Sequence, residues 1–314
     1  KKIFQEFSDE PVRSSFAQWF PKKLLKYFQR QAGSQQKTIQ HTMVVHDIIP
    51  RLFPLYRGNL RQAWHWKSVE RGMRRADHIV AISEQTKSDL IRALGVSEEK
   101  ITVAYPAVAP QFHNTLPPAV VASVLKKYAL EAGYIYHGGG LEVRKNTERL
   151  LRAYALLREK SQEGVAVPPL VISGKIFDTT NRLATNVEGL IWELHLEKTV
   201  KLLGFVPDAD LPALYKGALF FVYPSLYEGF GLPVLEALSL GTPVLTAAVA
   251  SLPEVGGEAV LYADPNSSGD IARQMERLLT DEALRMALAS KSRAQAVSFD
   301  WEHFTRHILA TFKT

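Results

Sequence analysis

The sequence predicts an α/β protein with parallel sheets, divided into two domains. Three observations predict it. HIVAIS (His78 to Ser83), a helical stretch and ITVAYPAV (Ile101 to Val108) alternate strand, helix and strand. FFVYPSLYEGFGLPVLEALSLGTPVLT (Phe220 to Thr246) reads as buried strand, glycine loop, short helix and second strand. A length of 314 residues, with 46% hydrophobic and 22% charged residues, suits a soluble chain with room for two cores.

Composition excludes several classes. With no cysteine, a disulfide framework and cysteine-ligated zinc or iron–sulfur sites are ruled out. No run of about eighteen apolar residues occurs, so no membrane-spanning helix is expected. Lys1 opens a polar segment without signal-peptide character, and the first residue is not methionine, so an N-terminal piece is expected to be missing. The formal charge of +6 and pI near 9.3 point to an anionic partner: nucleotide, phospholipid surface or nucleic acid.

In chain order, VRSSFAQWFPKKLLKYFQR (Val12 to Arg30) places Trp19, Phe20, Leu24 and Phe28 among Lys22, Lys23, Lys26 and Arg30. Pro21 leaves a short amphipathic helix, which suits either a lipid headgroup layer or packing on the domain surface. Thr38 to Val45 reads as a strand running into HDIIP, so His46 falls at a strand's C-terminal end, where open α/β sheets place ligand contacts; a structural role is the alternative. A basic, aromatic helix follows to about Ala76, with Arg51, Arg57, Arg61, Lys67, Arg71, Arg74 and Arg75 facing solvent or an anionic surface. Glu84 to Leu94 is a helix stopped by Gly95. Ala109 to about Ala132, proline-bearing and then helical, marks a linker.

Beyond it, YIYHGGGLEVRKN (Tyr134 to Asn146) runs from a strand into Gly138, Gly139 and Gly140, then Arg144 and Lys145. Glycines let backbone approach a ligand, and the cations suit a pyrophosphate. Asn146 is expected to cap a helix that buries Leu150, Leu151, Tyr154 and Leu157. This is neither a Walker loop nor a spaced dinucleotide fingerprint. Ser173, Gly174 and Lys175 end the next strand, and a helix is expected over 180–194. After the strand VKLLGFVP comes a short helix with Asp210 as its capping acid and Pro212 early in it. Helices over 269–279, 281–297 and the C-terminal stretch complete the chain.

In the stretch Phe220 to Thr246, Gly229 and Gly231 flank Phe230 where positive φ or close backbone approach is expected. Pro233 opens a helix whose N-terminal N–H groups point back at the loop, a ready site for phosphate or sugar oxygens. Glu228 and Glu236 bracket the loop with seven residues between them. Glu236 is placed in the first helical turn, either accepting from ligand hydroxyls or merely complementing the dipole, and Glu228 is either a ligand contact or a solvated loop acid.

The pieces GGLEVRKN, VISGK, LGFVPDADLPALYKGA, EGFGLPVLE, SLPEVGG and YADP together resemble the donor domain of retaining glycosyltransferases of family 4, with a GT-B fold. HDIIPRLFP, ADHIVAISEQTKSDL and the YPAV turn extend the likeness to the N-terminal part, and the details are most similar to bacterial polysaccharide mannosyltransferases. The resemblance implies two Rossmann-like domains facing across a cleft: an acceptor-side domain over 1–110, a nucleotide-sugar donor domain over 111–298 and a helix over 299–314 packing back on the first. The N-terminal domain lacks the family's first strand and glycine loop and is expected to be incomplete.

Carried over residue by residue, the resemblance implies that Arg144 and Lys145 neutralise the donor diphosphate and that Glu236 holds ribose hydroxyls. It places Glu228 beside the transferred sugar and His46 facing that sugar from the other domain. Gly140, Gly174, Lys175, Gly229, Phe230, Gly231 and Leu232 complete the donor site. The implied partners are a nucleotide diphosphate sugar, GDP-mannose before a UDP-sugar, and a glycan or lipid-linked acceptor. Same-face, retaining substitution without metal or other cofactor is expected, in the cytoplasm or peripherally at the anionic inner face of the membrane, with no nucleic acid as partner. The alternatives are a GT-B epimerase or phosphorylase and a non-catalytic nucleotide-sugar-binding subunit.

Overall fold

A computed structural model describes residues 41–113, 116–160, 166–174 and 182–312. The amphipathic stretch Val12 to Arg30 and Lys175 lie outside the described residues. Among the described residues, two parallel sheets form the frame. The first has three strands in sequential order: β1 (Thr42–Val45), β2 (His78–Ala81) and β3 (Ile101–Val103). The second has six, β4 (Tyr134–His137), β5 (Leu170–Ser173), β6 (Val200–Gly204), β7 (Ala218–Tyr223), β8 (Val244–Ala247) and β9 (Leu261–Ala263), in the order β6-β5-β4-β7-β8-β9.

The second sheet grows outward from β4 to β6 and then, from β7, in the opposite direction. Its topological switch point therefore lies between β4 and β7, where open α/β sheets bind ligands. Helices cover both faces, so strand residues alternate between two cores and both sets are apolar. Tyr136, Phe221 and Tyr223 enter one cluster, while Ile135, Phe220 and Val222 enter the other. The first cluster runs on through Val80, Ile82, Ala104 and Val108 beside the three-stranded sheet.

The helices are α1 (Ile49–Leu52), α2 (Leu60–Arg75), α3 (Glu84–Leu94), α4 (Pro118–Lys127), α5 (Thr147–Lys160), α6 (Val187–Glu193), α7 (Leu211–Gly217), α8 (Leu232–Ser239), α9 (Leu252–Gly256), α10 (Ser268–Thr280), α11 (Glu282–Val297) and α12 (Trp301–Ala310). α3 ends at Gly95 in the left-handed conformation, and α5 buries Leu150, Leu151, Tyr154 and Leu157. In α12, Phe304 and Ile308 join the cluster that contains Val80, and Trp301 Nε1 donates to Val108 O at 2.9 Å.

Three expectations need correction. The helix expected over 180–194 begins only at Val187, because Asn186 Oδ1 accepts from Gly189 N and Ala184 pairs with Glu142 in an isolated bridge. Asp210 precedes α7 without a side-chain cap bond; its carboxylate instead accepts from Lys127 Nζ at 2.6 Å and Tyr128 OH at 2.7 Å, pinning α4. Glu236 is the fifth residue of α8 and so lies past the first turn, too far along to complement its N-terminal dipole.

Candidate functional site

The switch point gathers the functional groups because both loops there leave strand ends side by side. After β4, Gly138, Gly139 and Gly140 lead into a single 3₁₀ turn, Val143–Lys145, that turns Arg144 and Lys145 inward. After β7, the chain runs through Pro224 and Ser225 to Glu228. The amide of Asn146 ties the two together and to a third loop, donating to Pro224 O at 2.9 Å and Pro265 O at 2.7 Å. Asn146 sits at φ 63°, a left-handed position that asparagine tolerates better than most residues.

Glu228 is the electrostatic centre. Arg144 Nη1 approaches its Oε2 at 2.7 Å, and Oε1 accepts from Lys145 Nζ at 2.9 Å, Tyr223 OH at 2.8 Å and Ser225 Oγ at 2.7 Å. Lys145, Tyr223, Ser225 and Glu228 are buried, and Arg144 is partly buried beside them. Burial alone would raise the Glu228 pKa, but the charges of Lys145 and Arg144 and the donated hydrogen bonds outweigh it and hold the pKa at about 2. Glu228 is therefore ionised, neither solvated nor a proton donor. Burial lowers the pKa of Lys145, against the pull of Glu228. Arg144 also donates to Tyr227 O at 2.7 Å, and its Nε is buried without a hydrogen-bond partner among the described residues.

Two carboxylate-bearing residues stand further out. Glu236 Oε2 accepts from Tyr215 OH at 2.8 Å, and burial pushes the pKa up to about 7, only partly opposed by that bond. Asp47, in the other sheet's loop, has its pKa raised by burial and feels both Arg144 and Glu228, so it faces the same cluster. His46 beside it is exposed to solvent, yet desolvation lowers its pKa, with Asp47 opposing.

The glycine loop follows. Gly231 takes φ 115° at the N-cap of α8. Gly229 is needed for a different reason: a Cβ there would lie 2.3 Å from His46 O and 2.8 Å from Asp47 Cβ. Phe230 is buried against Tyr105 and Phe299, so its ring belongs to the core and only its backbone is available to a ligand. Gly174 packs directly on Gly140, where a Cβ would fall 2.9 Å from Gly140 Cα. Leu232 opens α8.

The structure thus brings His46, Gly140, Arg144, Lys145, Gly174 and Glu228 to Leu232 close together, with Glu236 further along α8. Sequence reasoning missed Asp47, Tyr223, Ser225 and Tyr215, all masked by hydrophobic or loop surroundings. It also missed Phe205, which is 75% exposed just after β6, beside Gly174, whose N–H donates to Gly204 O at 2.9 Å. A phenylalanine following a glycine at a strand end was the available signal.

Known proteins resemble this chain in sequence and in fold. The family model described as glycosyl transferases group 1 matches residues 128–295, and that of Glycosyltransferase Family 4 matches residues 23–112. The O-antigen chain mannosyltransferase B of Escherichia coli is 36% identical over 85% of this chain and 68% of its own length. The serotype-specific mannosyltransferase WbdA of Escherichia coli is 35% identical over 84% of this chain but only 32% of its own length. Among solved structures, Anabaena Alr3699/HepE in complex with UDP-glucose gives a TM-score of 0.71 at 22% identity, covering 87% of this chain and 71% of that one. WaaG, a glycosyltransferase involved in lipopolysaccharide biosynthesis, gives 0.69 at 18%, covering 96% and 83%. These structural likenesses carry the fold, which is GT-B.

Proposed function

The chain belongs to the group 1 glycosyl transferases, and from that premise we propose that it transfers mannose from GDP-mannose to a glycan or lipid-linked acceptor with retention at the anomeric carbon. The observation that carries this reading is the Arg144–Lys145–Glu228 cluster at the switch point of the six-stranded sheet. The mannosyl choice rests on the likeness to the two mannosyltransferases, and a UDP-sugar is the nearest competitor.

In this reading the donor diphosphate lies over the strand ends at Gly140 and Gly174, against Arg144 and Lys145. Glu236 accepts from the ribose hydroxyls, and the exposed ring of Phe205 offers the base a flat face. As the bond from C1 to the β-phosphate oxygen breaks, Arg144 and Lys145 stabilise the negative charge that develops on the leaving group. The acceptor oxygen bonds to C1 on the same face, and its proton passes to the departing phosphate. Glu228, ionised and fully hydrogen-bonded, holds both cations in place beside the sugar. His46 and Asp47 face that sugar from the other sheet. The cationic side chains supply the charge that a metal ion would otherwise bring.

The second part of the proposal is peripheral contact with an anionic membrane on the cytoplasmic side. No helix among the described residues is long and apolar enough to cross one. α2 instead exposes Leu60 and Trp64, with Leu55 just before it, among the exposed cations Arg51, Arg61, Lys67, Arg71, Arg74 and Arg75. Lys67 Nζ sits 5.7 Å from the Trp64 ring, a pairing suited to the headgroup layer.

Thermal stabilisation by a panel of nucleotide diphosphate sugars tests the donor assignment, since a ligand bound only by the folded state raises its stability. GDP-mannose is expected to shift the melting temperature most. A larger shift with UDP-glucose would reassign the donor, and none with any member of the panel would remove the reading.

A further inference from the structure

Ser83 and Thr86, which make no part of the donor pocket, tie the donor loop to the His46 loop, and a third side chain, Glu254, holds the start of the helix that carries Thr86. Ser83 is the N-cap of α3, its Oγ accepting from Thr86 N at 2.9 Å, while its own proton is directed at Gly229 O, 2.6 Å away. Thr86 Oγ1 lies between two carbonyl oxygens, Gly229 O at 3.2 Å and His46 O at 3.3 Å. The Thr86 hydroxyl thus stands within hydrogen-bond reach of both loop backbones, and of Ser83 Oγ at 3.0 Å. Both side chains are buried. Glu254, on α9, reaches the opposite way and takes over the first N–H groups of α3, accepting from Glu84 N at 2.8 Å and Gln85 N at 2.9 Å.

A helix start is usually capped from its own chain neighbourhood. Here a carboxylate 170 positions away does part of that work. The carbonyls of the donor loop are divided in the same manner. Ser251 Oγ, from the six-stranded half, lies 3.0 Å from Glu228 O and 2.7 Å from Phe230 O. The carbonyl between them, Gly229 O, is left to Ser83 and Thr86 of the three-stranded half. The loop can thus keep its own fold through Ser251, while its placement against His46 depends on the other half.

We propose that Ser83, Thr86 and Glu254 are positioning residues for glycosyl transfer, setting the donor loop in register with His46 without touching the donor. The proposal rests on the donor site described above, where Arg144, Lys145 and Glu236 bind from one half and His46 faces the sugar from the other. Losing the brace then costs turnover and leaves donor affinity in place.

Thr86→Val removes the bridging hydroxyl at constant volume, Thr86→Ser restores it, and Glu254→Gln removes the carboxylate from the start of α3. For Thr86→Val and Glu254→Gln, kcat is expected to fall about 10- to 100-fold, as for a small misplacement of reacting groups, with the Kd for GDP-mannose within about twofold of wild type and Thr86→Ser near wild type. Amide exchange over 228–231 should speed up in both variants. Unchanged exchange over 228–231, unchanged kcat, or a Kd that weakens in step with kcat would overturn the proposal. A wild-type chain that neither binds nor turns over GDP-mannose contradicts the donor assignment instead, and the exchange comparison then decides on the brace.

Discussion

Gly229 and His46 meet backbone to backbone: the hydrogen that glycine carries in place of a Cβ is all that fits beneath His46 O. The two loops close on each other at that point, and position 229 has no room for a side chain. Gly229→Ala should therefore push the loops apart. Overpacking of this kind costs about 1–3 kcal/mol, so the variant should fold, melt lower and lose most transfer activity. Calorimetric melting together with a turnover assay checks it; wild-type values in both would show that the contact is not maintained in solution.

Arg144→Ala leaves Glu228 with Lys145 as its one remaining cation in a buried setting. Removing one partner of a buried ion pair costs about 3–5 kcal/mol, and the remaining lysine should keep this case near the lower bound. Transfer at saturating donor should nearly vanish. The double variant Arg144→Met/Glu228→Gln leaves Lys145 buried without that carboxylate, so it should unfold at lower urea than Arg144→Ala and be equally inactive; a recovery of stability would show that Lys145 does not depend on Glu228.

Glu236 and Glu228 should give pH dependences of opposite sign. Burial raises the Glu236 pKa from 4.5 to about 7, so its contribution to stability is complete below about 4.5 and declines as pH rises towards 7. The Glu228 pKa is lowered to about 2, so its contribution holds above about 4.5 and is lost as pH falls towards 2. Donor affinity should strengthen as pH rises through about 7, when Glu236 becomes the better acceptor for ribose hydroxyls. Titrations of GDP-mannose between pH 6 and 8, roughly one unit either side of that pKa, should show this trend in wild type and not in Glu236→Gln.

Much of the frame was legible because it is local. Gly95 closes α3, Leu150 to Leu157 define the buried face of α5, and the glycines after β4 and β7 announce loops; each signal sits within a few residues of its effect. Strand ends and the start of α6 were less so, since Ala184 pairs with Glu142, more than forty positions away, just before Asn186 caps the helix. Asp210 looked like a cap but found Lys127 and Tyr128, more than eighty positions away. The convergence of Arg144, Lys145 and Glu228 could be anticipated as charges near glycines. That Tyr223 and Ser225 complete the Glu228 shell could not, because a tyrosine at the end of an apolar strand reads as core. Ser83, Thr86 and Glu254 were invisible for the same reason: their partners are brought to them by the fold.

The exposed α2 face predicts lipid dependence. Wild-type protein should co-sediment with vesicles containing anionic phosphatidylglycerol and be released by salt, as surface charge attraction is. Leu60→Ser/Trp64→Ser and Arg61→Glu/Arg71→Glu should each weaken that binding several-fold, with donor affinity unchanged. Equal binding of wild type and both variants would remove α2 as the contact.

The most direct test of the central claim is a calorimetric titration of GDP-mannose into wild type, Arg144→Ala and Glu236→Ala. Saturable binding by wild type, weakened at least about tenfold in each variant, is the predicted result. Equal affinity in all three proteins would contradict a donor site at the switch point between β4 and β7.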